Sequence, residues 1–222
     1  MTVREIIRQF KHFSEDRTGF VSDDTIYSDK AIYHNLLISR SRIISDRDKL
    51  GSFSKNMEQS LTCIELSPSD IVECKLIIPS GCKIMKSVCD IPNPLKVVSI
   101  TTHMGESIEI IEWNRVATKL NSNIKEVKNS RYAAIRNING KQYLYIFNEL
   151  HLRNITMNAI FEDPTKAAAF CGDNEAKCNP LEVDFHTDLK YVEPILKLTV
   201  SNIFGMRSGS TVDVNNNDQE LV

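Results

Sequence analysis

Six cysteines and five histidines are the residues of this 222-residue chain best suited to bind a metal or attack a substrate. Cys82 with Cys89 and Cys171 with Cys178 share one spacing, six residues between the members of each pair. Brought together, the four thiolates would form a tetrahedral zinc site, but zinc ribbons usually space each pair by about two to four residues. Thiols scattered over strands and loops account for this spacing better, so no metal ligand and no cofactor are assigned. Cys63 and Cys74 stand apart from either pair. His12, His34, His103, His151 and His186 occur singly, no two of them spaced as ligands on one face. Nothing local builds a cysteine-histidine nucleophile pair. Asp184-Phe185-His186 could hold an imidazole against a carboxylate, yet a capped approach to the last helix explains the same residues.

The chain has no phosphate-binding GxxxxGK[ST] loop, no GxGxxG, no HExxH and no GxSxG. The paired acids Glu162-Asp163 stand at an expected helix start, where carboxylates complement the dipole without any acid-base role. No catalytic residue is assigned, and the chain is expected not to be an enzyme. Lysine plus arginine number 27 against 29 aspartate plus glutamate, a net charge of −2. That balance provides no broad footprint for nucleic acid or an anionic membrane. Charges interrupt MTVREIIRQFKHF, so these residues form neither the apolar core of a signal peptide nor a membrane span. Synthesis in the cytoplasm and reduced thiols are expected.

Helices at both ends must position whatever the chain does. Thr2-Val-Arg-Glu5 has the form of a capping box, followed by Val3, Ile6, Ile7, Phe10 and Phe13 at helical spacing. Ser28 or Asp29 caps a second helix to about Lys49, with Ile32, Tyr33, Leu36, Leu37, Ile43 and Ile44 on its apolar side and Gly51 as its stop. Arg40, Arg42, Arg47 and Lys49 gather toward its C-terminal end, where they read as a solvated, dipole-matched cluster. Near the other end, Asp163-Pro164 starts a short helix. Val192, Ile195, Leu196, Thr199, Val200, Ile203 and Phe204 then mark an amphipathic helix closed by Gly205, with Pro194 tolerable near its start or as a kink.

Between these helices run short β-prone stretches separated by turn residues: SLTCIEL, IVECKLII, CKIMKSV, KVVSITT, SIEIIEW, RYAAIRNI, QYLYIF and RNITMNAIF. Pro68, Pro79, Pro92 and Pro94 fall between them, and Trp113 to Leu120 reads as a short inserted helix. Asn139-Gly140 is a strong hairpin signal because both residues tolerate positive φ. Residues 143–164 read as a second hairpin. In its first strand Tyr143, Tyr145 and Phe147 alternate with Leu144 and Ile146, so both faces are expected to be covered. In its second, Ile155, Met157, Ala159 and Phe161 share a buried face, and Asn154, Thr156 and Asn158 a polar one.

The expected fold class is α+β, with N- and C-terminal helices forming a helical region packed beside a central antiparallel β-sandwich-like domain. Residues 1–52 make the N-terminal helical region, 53–163 the β domain, 164–206 the C-terminal helical region and 207–222 a flexible tail or an arm that orders on a neighbour.

This order of elements resembles the head-to-tail connector, or ring, proteins of short-tailed bacteriophages. It includes RYAAIRNINGKQYLYIFNELHLRNITMNAIFEDPTKAAAF, a cysteine-bearing loop and DLKYVEPILKLTVSNIFG. The similarity is closest to the ring proteins of crAss-like phages, with podovirus tail tubular and portal-adaptor proteins as broader relatives. It implies a virion protein at the head-tail junction, in a homo-dodecameric ring beneath the portal. Its partners would be the portal protein, further tail ring or nozzle proteins and double-stranded DNA passing through the channel, with no membrane. Such a ring would supply the apolar contacts that short helices such as Val3 to Phe13 need.

Overall fold

The computed structural model describes residues 1–18, 27–48, 55–69, 84–170 and 179–205. The expected strand over 71–78, the Gly51 stop and the stretch 207–222 lie outside them. In chain order the elements are α1 (Val3–Thr18), α2 (Asp29–Asp48), β1 (Gln59–Pro68), β2 (Ile84–Ser87), β3 (Pro94–Thr102) and β4 (Glu109–Ile110). After these come α3 (Val116–Leu120), α4 (Lys125–Asn129), β5 (Tyr132–Ile138), β6 (Lys141–Phe147), β7 (Asn154–Phe161), α5 (Pro164–Ala168) and α6 (Leu189–Phe204). The result is α+β with a central β domain.

Local chemistry sets most helix ends. In the capping box the Thr2 amide donates to Glu5 Oε2 at 2.8 Å and the Glu5 amide to Thr2 Oγ1 at 3.2 Å. Ser28 Oγ accepts from the Ala31 amide at 3.3 Å at the start of α2. Asp163 Oδ1 accepts from the Thr165 amide at 3.0 Å, with Pro164 in the first turn of α5. Gly205 ends α6 in the left-handed region at φ 65°. Pro194 sits inside α6, in its second turn, and so removes one helical hydrogen bond.

The β domain is one seven-stranded sheet in the order β3-β7-β1-β2-β6-β5-β4, antiparallel throughout except for the parallel β4–β5 pair. The sandwich-like core is thus a single sheet curled on itself. The Ile108 amide donates to Ile100 O of β3, and the Ile111 amide to Ala133 O of β5, both at 2.9 Å. One short segment therefore bonds to both margins of the sheet and nearly closes it into a barrel. Register shifts help the strands bend: one in β1 between Leu61 and Ile64, and two in β3. The β1 shift keeps Leu61 and Ile64 both buried although they are three positions apart.

Asn139 and Gly140, at φ 52° and 82°, turn β5 into β6 as their sequence demands. The second expected hairpin, over residues 143–164, does not form. β6 pairs with β2 and β5, whereas β7 pairs with β1 and β3. Residues 148–153 cross from one strand to the other, because β6 already has β5 and β2 on its two edges and β7 finds its partners in β1 and β3.

Three apolar clusters follow. Leu61, Leu66, Ile100, Leu144, Ile146 and Met157 belong to the interior cluster of the curled sheet. Outside β5 and β6, Tyr132, Tyr145 and Phe147 pack with Val116 and Leu120 of α3, so both faces of β6 are covered. The third cluster joins Val3, Ile6, Ile7 and Phe10 of α1 to Ile32, Leu36 and Ile44 of α2, and to Ile195, Leu196 and Val200 of α6. Ile160 of β7 enters it from the sheet. α1 therefore buries its apolar face within its own chain, and the expectation that neighbouring subunits must supply those contacts is corrected.

Arg40 is corrected as well. It is 0% exposed, not part of a solvated helix end. Its Nη1 donates to Phe161 O at 2.7 Å, and its Nε and Nη2 donate to His186 O at 3.2 and 3.0 Å. Helical rotation places position 40 on the same face as Ile32, Leu36 and Ile44, so the guanidinium enters the helix-sheet junction. Burial lowers its pKa to about 10, opposed by the nearby Tyr33 hydroxyl and Asp163. The Tyr33 hydroxyl donates to Asp163 Oδ1 at 2.9 Å, and burial beside that carboxylate pushes the phenol above its ordinary range. Ser39, also fully buried, accepts from Thr199 Oγ1 of α6 at 2.8 Å.

Arg40→Ala will lower unfolding stability by roughly 3 kcal/mol, because it leaves a cavity and strands the Phe161 and His186 carbonyls. Arg40→Met restores the volume but not the donors and will remain destabilised. Urea denaturation tests both, and wild-type stability of Arg40→Met would show that the carbonyls find other partners.

Candidate functional site

Among the described residues, those singled out for chemistry are spread over helices, strands and connections. Cys74, Cys82, Cys171 and Cys178 lie outside the described residues. Cys63 is an exposed free thiol in the β1 bulge, at φ 55°. Cys89 is disulfide-bonded, its partner outside the described residues. The expectation of reduced thiols is therefore overturned there, since bonding follows which sulfurs the fold brings together as well as the compartment. His12 lies 3.7 Å from Glu15 on α1, and His34 is exposed on α2. In Asp184-Phe185-His186 the side chain that packs is Phe185, fully buried, while His186 offers its carbonyl to Arg40. Among the described residues, no group of three or more His, Cys, Asp or Glu could hold a metal ion.

A polar groove of about 510 Å³ opens between residues 89–93, the β5–β6 turn and the end of α5. Gln142 Nε2 donates to Asn93 Oδ1 at 2.6 Å, and Asn93 Nδ2 to Glu162 Oε2 at 2.6 Å. Gln142 Oε1 is buried and accepts no hydrogen bond among the described residues. Lys141 and Lys166 stand exposed at its rim. Among the described residues its lining offers donors, acceptors and two ammonium groups, which suit recognition of a polar ligand.

The outer sheet surface is equally self-satisfied. Asn158 of β7 accepts from Ser60 of β1 at 2.5 Å and donates to Ser99 of β3 at 3.1 Å. This ladder occupies the polar strand face expected from Asn154, Thr156 and Asn158. Lys86 Nζ lies 3.7 Å from the Tyr143 ring centroid, and the Arg136 guanidinium 4.7 Å from that of Trp113. These rings serve the sheet's own cations rather than forming an open platform for stacked bases.

At one end of the barrel Arg131 clasps two connections. Its Nη1 reaches Glu106 Oε2 at 2.6 Å, before β4, and its Nε reaches Glu149 Oε2 at 3.2 Å, between β6 and β7. Glu149 Oε1 accepts from the His151 and Leu150 amides at 2.9 and 3.0 Å. The His151 amide is the chief reason that the Glu149 pKa is lowered. His103 and His151 line the same small groove. No short-range sequence signal could have located this clasp, because its three charged members come from separate connections.

Two measurements follow from these sites. Glu149 favours its ionised form in the folded chain, so its contribution is present above its ordinary value of 4.5 and is lost as pH falls through the lower folded value. Glu149→Gln will therefore lower the melting temperature at neutral pH and flatten the loss of stability below pH 4.5; an unchanged acid limb would show that the carboxylate is not coupled to folding. For the cysteines, a thiol assay on the unfolded, unreduced chain will find at most four of the six, since Cys89 and its partner are bonded. Six reactive thiols would exclude that disulfide.

The described residues contain no helix long and apolar enough to cross a membrane. No curated protein matches the chain. The family model described as phage tail ring protein 2 matches it over residues 3–220, covering the helical layer and the curled sheet alike. With nearly the whole length matched, the chain belongs to the phage tail ring protein 2 family of crAss-like phages.

Proposed function

We propose that this chain is the repeating subunit of a closed homo-dodecameric ring that joins the portal to the tail and lines the channel through which DNA leaves. The observation that carries this reading is the family match across residues 3–220, which makes the protein a structural ring component of a phage tail. Such a role is non-enzymatic. The working plan of the subunit is a helical body from residues 1–52 and 164–206, a β domain over 53–163, and a tail over 207–222.

Two physical features support the finer reading. The near-closed sheet leaves little unpaired strand edge among the described residues, so copies would meet through side-chain faces related by one rotation rather than by strand addition. A net charge of −2 suits a conduit, because strong phosphate binding would retain the genome. The helices α2 and α6 would form the ring body, with the sheet bridging to neighbouring subunits or other tail proteins.

Native mass spectrometry of the chain alone and with the portal protein of the same phage tests this directly. The expected outcome is a closed ring of about twelve copies, formed or stabilised on the portal. A monomer indifferent to the portal would overturn the connector role, and a ring of different number would overturn the twelvefold symmetry alone.

A further inference from the structure

A second groove, of about 300 Å³, runs between α1 and the start of α2 and is lined by Arg4, Ile7, Arg8, Lys11, Asp29 and Leu181. The three cations sit at helical spacing on one side of α1 and have unequal partners. Arg4 is held by Glu182 at 2.7 Å, and Lys11 by Asp29 at 2.8 Å. Arg8, exposed between them, has no acidic partner among the described residues. Ile7 is buried and Leu181 half-buried, so the groove pairs apolar contact with a guanidinium that no carboxylate among the described residues holds. Its chemistry fits a chain segment carrying carboxylates with aliphatic residues among them.

The same chain contains such a segment. Beyond Arg207 there is no lysine or arginine, while Asp213, Asp218 and Glu220 alternate with Val212, Val214, Leu221 and Val222. The end of α6 also lies at the right place. Phe204 packs edge-on against Tyr27 with ring centroids 6.1 Å apart, two residues before the Asp29 that forms one wall of the groove. Residues 206–212 can span at most about 24 Å fully extended. The contact of Phe204 with Tyr27 brings the chain's own groove within that reach.

We infer that the α1–α2 groove is a docking site for the acidic segment 213–222 of the same chain, which brings a carboxylate to Arg8. The segment then covers this groove without a second subunit. The inference is independent of copy number and of the portal.

Carbodiimide coupling of the full-length protein tests it, because the reagent joins a lysine amine to a carboxylate only when the two are in contact. Light and heavy isotope-labelled chains are mixed before coupling, and peptides linking Lys11 to Asp213, Asp218 or Glu220 are identified by mass. The expected links join light to light and heavy to heavy. Arg8→Glu will reduce their yield by about fivefold, Arg8→Lys will largely retain it, and added salt will lower it. Asp218→Asn with Glu220→Gln, which leaves the helices untouched, will reduce the Lys11–Asp213 link as well. Absence of these links, mixed-isotope links, or a yield indifferent to the charge at position 8 would each overturn the inference, and the ring mass of the same sample reports separately on assembly.

Discussion

The helical layer depends on a single cation that no carboxylate directly holds. Arg40 is withdrawn from water at the junction of α2, the end of β7 and the segment leading into α6, and it satisfies backbone carbonyls in the latter two. Burying a guanidinium is costly, which is why its pKa falls. The cost is tolerated because two carbonyls would otherwise be buried without donors. Three segments distant in sequence are thereby fixed in one orientation. The neighbouring contacts from Tyr33 to Asp163 and from Ser39 to Thr199 are polar too, so directional bonds as well as apolar burial set how the helices sit on the sheet.

The sheet solves a different problem. Seven short strands present unpaired amides at their margins unless they close, and open margins invite uncontrolled association. Residues 106–111 bond to both β3 and β5, while bulges in β1 and β3 supply curvature. Side-chain ladders such as Ser60–Asn158–Ser99 satisfy much of the outer polar surface. The described outer face is thus polar, of the kind that wet subunit contacts allow. That is consistent with a structural component of a phage tail ring.

The family of the chain and the scatter of its reactive residues agree. Histidines lie apart along the chain, with His103 and His151 sharing only a small groove, and Asp184-Phe185-His186 contributes a buried ring and a carbonyl. Two described grooves, of about 510 and 300 Å³, carry amides, ammonium groups and guanidinium groups suited to carboxylates. Resemblance carried the functional reading further than local chemistry could, since a structural ring subunit needs no motif at any one position.

What the sequence by itself determined was local. The capping box at Thr2 and Glu5, the Asp163-Pro164 start, the Asn139-Gly140 turn and the Gly205 stop each act over a few residues, so their letters suffice. The alternation in β6 likewise predicted two covered faces, because side-chain direction has period two. Only the tertiary structure decided which strands pair, and so it separated β6 from β7, which look like a hairpin in sequence. It alone placed Arg40 in the core and its neighbour Arg42 in solvent, brought a cysteine partner to Cys89, and assembled the Arg131 clasp. These depend on contacts between residues far apart in the chain, whose energies favour one packing among many and leave no periodic trace in the order of residues.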